Sequence, residues 1–138
     1  MRDLFEIVRN QKPLMLRPTT TVRHAGESMR DRRVGAVLVT DPAHRLVGIF
    51  TGRDAVARVL AAGRDPNTTT LADVMTPDPD TIAAGKTAID ALRQMQDGGY
   101  RHLPVVAEGK IVGILSKGDF RGDEQERLDE ETGIWERI

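Results

Sequence analysis

The chain carries one pattern of apolar and polar residues twice. Residues 46–54 read Leu-Val-Gly-Ile-Phe-Thr-Gly-Arg-Asp, and residues 111–119 read Ile-Val-Gly-Ile-Leu-Ser-Lys-Gly-Asp. Both segments follow the order apolar, Val, Gly, Ile, apolar, hydroxyl, any two residues, Asp. Such a repeat predicts two copies of one small folding unit, neither of which can bury its sheet alone.

Further matches lie upstream in the same order. Val37-Leu38-Val39 corresponds to Pro104-Val105-Val106, and Thr21, Ala25 and Met29 correspond to Thr87, Ala91 and Met95. We place the boundary between the copies near Asp65–Thr70. The predicted division is an N-terminal segment with the first repeat (1–66), a second repeat (67–122) and an acidic C-terminal tail (123–138).

Size and composition exclude several classes of protein. The chain has 138 residues, 39% apolar and 30% charged, with a net charge of −1. This length suits one compact domain or two small halves that share a core. A balanced charge argues against a general nucleic-acid binder, which needs a basic surplus. There is no cysteine, and no apolar run approaches the ~18 residues of a membrane span, so we expect a cytoplasmic protein without membrane contact.

Each copy has the predicted element order β-α-β-β-α, which defines an α+β fold. A short strand (14–16; 81–82) precedes a helix with helically spaced apolar residues, and Thr21 and Thr87 are the predicted N-caps. Gly98-Gly99 ends the helix of the second copy through positive φ. Hairpins follow at 34–39 with 46–50 and at 103–106 with 111–115. A second helix is clear only over 55–62.

Both ends of the chain are predicted to pack. Residues 3–10 are expected to form a short helix on the first unit. The tail carries acidic runs before Ile134 and Trp135, the only tryptophan. We expect this tail to dock on its own core or on a second chain.

The repeated Gly-Ile-x-Thr/Ser-x-x-Asp segment offers a site for a sugar phosphate. Its glycine lets a backbone or a flat ligand approach the strand. The hydroxyl lies at a strand-to-helix junction, where free N–H groups attract phosphate. The Asp three residues later can accept hydrogen bonds from the vicinal hydroxyls of ribose. The plainer alternative is that Thr51 with Asp54, and Ser116 with Asp119, are ordinary capping boxes.

Residues 12–120 resemble a tandem pair of CBS domains, the cystathionine-β-synthase-type unit whose pair is often called a Bateman module. The likeness rests on the two copies above, on Ala72–Pro77, and on the strand entries Arg32–Val39 and Tyr100–Val106. It implies two β-α-β-β-α units packed through their sheets about a pseudo-twofold axis. It also implies two clefts that bind adenine nucleotides in many relatives, and association into a disc-shaped homodimer.

The resemblance assigns residues to each implied cleft. The second repeat supplies the first cleft with Ile114, Ser116, Lys117, Asp119, Arg101 and His102. The opposite wall of that cleft takes Val34, Gly35, Ala36 and the strand ending at Leu16. The second cleft takes Ile49, Thr51 and Asp54, faced by Met75, Thr76, Asp80 and Tyr100. Because Gly35 and Ala36 stand where the second repeat has Arg101 and His102, we expect the Asp119 cleft to hold phosphate better. The alternative is that Arg53, Arg33 or Arg32 compensates in the second cleft.

We therefore expect a stand-alone regulatory module that binds AMP, ADP or ATP, with S-adenosylmethionine as a further candidate ligand. It would signal through its dimer geometry or through an unknown partner protein. The alternative is a dimerisation scaffold with degenerate clefts that binds no nucleotide and captures a partner through its acidic tail.

Catalysis is disfavoured, because the sequence has no P-loop, no GxGxxG opening a helix and no locally supported Ser/His/Asp set. No resident cofactor is indicated. No metal site is indicated either, because His24, His44 and His102 lie in three unrelated local contexts.

Overall fold

The computed structural model describes residues 2–120, 122, 124, 125 and 128. The strands are β1 (Met15–Leu16), β2 (Ala36–Thr40), β3 (Leu46–Thr51), β4 (Thr76–Pro77), β5 (Ile82–Ala83), β6 (His102–Ala107) and β7 (Lys110–Ser116). The α-helices are α1 (Leu4–Val8), α2 (Val22–Arg32), α3 (Gly52–Asp54), α4 (Leu71–Val74) and α5 (Ala88–Gly98). A π-helix (Ala55–Leu60) continues α3, and a 3₁₀ helix (Lys117–Asp119) follows β7. The predicted α+β class with two repeats is confirmed.

The chain divides into two compact units. The first unit comprises Lys12–Pro79, and the second joins the residues up to Gln11 to those from Asp80 onward. These packing units do not coincide with the two sequence repeats, because the segment 67–79 packs in the first unit. The boundary between the repeats at residues 66 and 67 stays a prediction. Within that segment, β4 pairs with β3, and Leu71 N donates to Thr20 O at 2.9 Å.

The first unit is built on a four-stranded sheet with the order β1-β2-β3-β4. β1 runs parallel to β2, and the other neighbours are antiparallel. Its buried core is Leu14, Val22, Ala25, Val37, Val39, Phe50, Val59, Leu71 and Val74. β2 begins at Ala36 and not at the predicted Val34, because α2 ends at Arg33 in the left-handed region (φ 55°) and Val34 N bonds back to Met29 O.

The second unit has a three-stranded sheet with the order β5-β6-β7. Its buried core is Leu4, Val8, Ile82, Ala84, Ala91, Met95, Leu103, Val105 and Leu115. The presence of Leu4 and Val8 in this core contradicts the prediction that the N-terminal helix packs onto the first repeat. Two backbone hydrogen bonds join the N-terminal segment to this unit: Leu4 N donates to Lys86 O, and Ala88 N donates to Arg2 O.

The predicted helix ends are largely confirmed. Thr21 accepts from His24 N, Thr87 accepts from Asp90 N, and Gly99 ends α5 at φ 71°. The predicted helix over 55–62 is a π-helix in which Ala61 N bonds to Val56 O. The second repeat has no matching helix directly after Asp119, because Phe120 is extended at φ −96° and ψ 146°.

The C-terminal residues are described in part. Gly122, Glu124, Gln125 and Leu128 are helical, and Glu124 and Leu128 are buried. Leu128 packs in a buried cluster with Ile89 and Leu92, so this part of the predicted acidic tail docks on the second unit. Trp135 lies outside the described residues. None of the helices in the described part combines the length and the apolar character that a bilayer crossing requires.

Candidate functional site

The turn from Ser116 to Asp119 folds around one carboxylate. Asp119 Oδ2 accepts from Ser116 N at 2.7 Å and from Ser116 Oγ at 3.3 Å. This is the capping box that the sequence analysis gave as the plainer alternative to a sugar-phosphate site. Both bonds use Oδ2, so Oδ1 accepts no hydrogen bond from the described residues. A ribose hydroxyl is a suitable donor to that oxygen.

Three basic side chains belong to the same corner of the second unit. His102 pairs with Ser116 across the β6–β7 ladder, and Lys117 N donates to Arg101 O at 3.2 Å. Lys117 itself follows Ser116 in the turn. These backbone contacts bring residues His102, Arg101 and Lys117 next to the segment that carries Asp119, and their role as a binding site stays a prediction.

His102 is half-buried and electrostatically perturbed. Its pKa lies below the ordinary value, first because burial disfavours the charged imidazolium and second because Arg101 is close. Asp119 acts in the opposite direction and raises the pKa of His102. The pKa of His102 thus depends on two opposing charges, the basic Arg101 and the acidic Asp119. An arriving anion would favour protonation of this imidazole.

The first unit repeats the turn without a counterpart to Arg101 and His102, although the turn itself contains Arg53. Asp54 Oδ2 accepts from Thr51 N at 2.9 Å and from Thr51 Oγ1 at 3.1 Å. Ala36 pairs with Thr51, and Gly52 N donates to Gly35 O at 3.1 Å. Gly35 and Ala36 thus hold the places of Arg101 and His102, and neither has a charged side chain.

Arg58 gives the Asp54 carboxylate a second partner. Its Nε lies 3.6 Å from Asp54 Oδ1, and its Nη1 donates to Val74 O at 3.2 Å and to Met75 O at 3.1 Å. Arg58 lies on the π-helix that follows Asp54. Its side chain therefore connects this helix to the C-terminal end of α4.

Glycine in the repeated strands serves packing. A methyl group on Gly48 would overlap the Met75 side chain, and one on Gly113 would lie 2.5 Å from Val8 Cβ. The sequence suggested that these glycines admit a second backbone or a flat ligand. Side chains fill this space instead: Met75 lies beside Gly48, and Val8 lies beside Gly113.

Asp80 and Tyr100, expected in the second cleft, meet in the second unit. Tyr100 Oη donates to Asp80 Oδ2 at 3.2 Å, and burial is the first cause that raises the pKa of Tyr100. Together with residues of α5 they line a cavity of about 420 Å³, whose walls are Asp80, Asp90, Arg93, Gln94, Asp97, Gly98 and Tyr100.

The remaining predicted site residues lie in two different units. Ile114 lies on β7, and its N–H donates to Gln11 Oε1 at 2.8 Å. Leu16, Val34, Gly35, Ala36, Ile49 and Thr76 lie in the first unit, where Ile49 pairs with Thr76. The assignment of residues from both units to each cleft stays a prediction.

Two charged residues next to the site escaped the sequence analysis. Arg2 Nη2 donates to Asp119 O at 3.0 Å and to Glu124 Oε1 at 2.5 Å. A usable signal was present: Asp3, Leu4 and Val8 match Thr70, Leu71 and Met75 at one spacing, so the repeat begins before residue 12. Among the described residues no cluster of three metal-ligating side chains occurs.

Comparison with known proteins identifies the family. The CBS domain profile matches residues 2–61 and 71–123. The CBS domain-containing protein CBSCBSPB2 of Arabidopsis thaliana is 42% identical over 108 residues, which make up 78% of this chain and 20% of that protein. The chain thus spans about a fifth of the length of such curated relatives.

Solved structures agree in fold. A CBS domain protein from Pyrobaculum aerophilum, complexed with AMP, has a TM-score of 0.83 at 25% identity, covering 94% of this chain and 99% of that one. A hexameric CBS-CP12 protein from bloom-forming cyanobacteria has a TM-score of 0.82 at 26% identity, covering 97% and 80%. Since the family profile matches both repeats, the chain belongs to the CBS domain family and carries a pair of these domains.

Proposed function

We propose that this CBS pair is a regulatory, non-enzymatic cytoplasmic module that binds AMP, ADP or ATP at the Ser116–Asp119 turn. The observation that supports the proposal is that the Asp119 carboxylate and the residues His102, Arg101 and Lys117 lie on adjoining segments of a single unit. Asp119 would accept from the ribose hydroxyls, and His102, Arg101 and Lys117 would bind the phosphates. Ile114, on the strand leading into the turn, is proposed as an apolar contact for the base.

Similarity to a solved relative supports the class of ligand. The CBS domain protein from Pyrobaculum aerophilum was solved in complex with AMP. Both segments of this chain that carry the repeated turn fall within the residues that match the family profile. S-adenosylmethionine remains a candidate ligand, because it presents the same ribose and adenine but places a cation and a zwitterion where a nucleotide has phosphate.

The two turns are proposed to differ in ligand preference. The Thr51–Asp54 turn has Gly35 and Ala36 in place of a basic pair, and Arg58 lies beside its carboxylate. A phosphate gains less there, while a ribose must compete with Arg58 for Asp54. We expect this turn to bind nucleotides more weakly than the Asp119 turn. Val34, Gly35, Ala36 and Leu16 are proposed contacts for the first ligand, and Thr76, Asp80 and Tyr100 for the second.

Regulation requires that a ligand distinguish two arrangements of the protein. A nucleotide shifts such an equilibrium only by its difference in affinity for the two. We propose that the output is a change in the geometry of a homo-oligomer or in the affinity for a partner protein. The hexameric CBS-CP12 relative shows that a protein of this fold can assemble from several copies.

Isothermal titration calorimetry with AMP, ADP, ATP, S-adenosylmethionine and GTP tests the proposal. We expect an adenine nucleotide to bind with a dissociation constant below 1 mM, an order of magnitude typical of a specific small-ligand site. Asp119→Asn should weaken binding strongly, and the matched Asp54→Asn should weaken it less. If no adenine nucleotide binds at millimolar concentration, the chain is a scaffold with degenerate sites.

A further inference from the structure

We propose that Arg2 is a positioning residue for the Asp119 turn, held in place by Glu124, so that the C-terminal helical residues are energetically coupled to the nucleotide. This inference rests on the proposed function for its ligand. Asp119 and Glu124 are far from Arg2 in sequence, and the fold places both of them in contact with the Arg2 guanidinium group.

The guanidinium of Arg2 contacts two segments at once. Its Nε and Nη2 donate to Glu124 Oε2 at 3.2 Å and to Glu124 Oε1 at 2.5 Å, which forms a bidentate pair. Nη2 also donates to Asp119 O at 3.0 Å. The planar fork of arginine suits this three-point arrangement, and the point charge of lysine does not.

The backbone of Arg2 is itself anchored. Its carbonyl accepts from Ala88 N at 3.1 Å, and the neighbouring Leu4 N donates to Lys86 O at 3.0 Å. Arg2 therefore extends its side chain from a fixed point on the second unit to the carbonyl of Asp119. Glu124 is only 7% exposed in its side chain, and Arg2 is 20% exposed. Both groups are thus largely withdrawn from water, so removal of either one leaves the charge of the other buried without compensation.

The helix at the Asp119 turn is interrupted directly after Asp119, so the position of this turn depends on contacts from outside the helix. In the first unit the chain continues from Asp54 into the π-helix Ala55–Leu60, which holds the acid through continuing backbone bonds. In the second unit the 3₁₀ helix ends at Asp119, and Phe120 is extended. The bond from Arg2 to the Asp119 carbonyl is made at this interruption, and we infer that it gives the support that the continuing helix gives in the first unit.

The repeat itself supplies a comparison for this ion pair. By position, Arg2 corresponds to Thr69 and Glu124 to Val59 in the first unit. Both of those residues are buried and neutral. A buried ion pair gives little or no more stability than well-packed neutral residues at the same place. Its presence beside Asp119, where the helix is interrupted, points to positioning.

Two measurements test the proposal on the full chain. The first needs no ligand: hydrogen exchange of the Ser116 amide, which donates to Asp119 Oδ2, should accelerate at least ~10-fold in Arg2→Ala if that bond loosens. Arg2→Lys should accelerate it less, and Arg23→Ala, which removes an exposed arginine paired with Glu27, should leave it unchanged. Equal protection in Arg2→Ala and the wild type would overturn the proposal.

The second measurement compares AMP with 2′,3′-dideoxy-AMP, which lacks the hydroxyls that Asp119 would accept. In the wild type AMP should bind at least ~10-fold tighter, the value of about one good hydrogen bond to a charged group. Arg2→Ala and Glu124→Gln should bring that ratio towards one while 2′,3′-dideoxy-AMP binds as before. By linkage, AMP should slow exchange at the Glu124 and Gln125 amides.

The outcomes separate the two proposals. A wild type that binds neither AMP, ADP nor ATP, together with faster exchange at Ser116 in Arg2→Ala, overturns the proposed function and supports the positioning role of Arg2. A wild type that binds AMP, with an unchanged AMP to dideoxy-AMP ratio in Arg2→Ala and Glu124→Gln, overturns the positioning role alone. Loss of affinity for both nucleotides by the same factor also contradicts it, because that result indicates general unfolding.

Discussion

His102 and Ser116 are direct partners across the β6–β7 ladder, so the imidazole stands beside the hydroxyl that bonds the Asp119 carboxylate. This register sets the electrostatics of the proposed site. Burial and Arg101 lower the pKa of His102, and Asp119 partly offsets them. The imidazole is therefore neutral at pH 7, and two consequences can be measured.

The first consequence is a pH-dependent stability. Because the pKa of His102 is lower in the folded state than its ordinary value of 6.5, the unfolded chain binds more protons below that value. The free energy of unfolding should fall as the pH drops through 6.5 towards the folded pKa. Urea denaturation of the wild type and His102→Gln at pH 7.5 and pH 5.5 checks this. The variant should lose less stability over the interval, and a parallel decline in both proteins contradicts the expectation.

The second consequence is proton uptake on binding phosphate. An anion next to His102 favours the imidazolium, so binding of AMP should raise the pKa of His102 and draw a proton from solution. Calorimetric titrations at pH 7 in two buffers of different ionisation enthalpy measure the number of protons taken up. We expect a fraction of one proton for AMP and none for adenosine. His102→Gln should abolish the uptake, and uptake that persists in this variant would place the titrating group elsewhere.

Local features of the fold could be predicted from the sequence. The threonine caps at Thr21 and Thr87, the glycine stop at Gly99 and both hairpins arise from bonds between residues close in the chain. The hairpin register in turn places His102 opposite Ser116, while the role of His102 and Arg101 in binding phosphate came from the family resemblance and stays a prediction. Family membership followed from the same ordered blocks.

The partner of each short helix could not be predicted. The apolar face of α1, with Leu4 and Val8, looks like that of α4, with Leu71 and Val74, and each face would fit either sheet. Chain order suggested that α1 covers the first repeat, yet it packs on the second, and α4 packs on the first. An amphipathic pattern indicates that one face of a helix is buried, but it does not identify the sheet that buries that face.

Residues that act over a long separation were also missed. The Arg2 and Glu124 pair joins the two ends of the chain, and no local spacing marks such a contact. The interruption after Asp119 was equally hidden, because Ser116-Lys117-Gly118-Asp119 matches the start of a longer helix in the first unit.

The strand glycines give a test of the packing. Gly113→Ala places a methyl group 2.5 Å from Val8 Cβ, next to the backbone of α1, and should lower the free energy of unfolding by about 1–3 kcal/mol through overpacking. Gly48→Ala is the matched variant, and its methyl group meets the flexible side chain of Met75. Since Met75 can change rotamer, the loss should be smaller. Urea denaturation of both variants measures the difference, and a larger loss for Gly48→Ala contradicts this account.

Arg58 links the acid of the first turn to the end of α4. Its Nη1 donates to the carbonyls of Val74 and Met75, and its Nε lies near Asp54. Arg58→Ala should lower the free energy of unfolding by about 1 kcal/mol, since two carbonyls lose a donor but can turn to water at this half-exposed place. Arg58→Lys should retain part of that stability.

The matched control for Arg58 is Arg53→Ala, which removes an exposed arginine from the preceding turn. Arg53 makes no side-chain hydrogen bond in the part of the chain that the structure covers, so this variant should unfold like the wild type. Arg58→Ala should also free the Asp54 carboxylate and tighten adenosine binding at the first turn, measured in the Asp119→Asn background to silence the other turn. If adenosine binding is unchanged there while stability falls, Arg58 caps α4 and does not compete for Asp54.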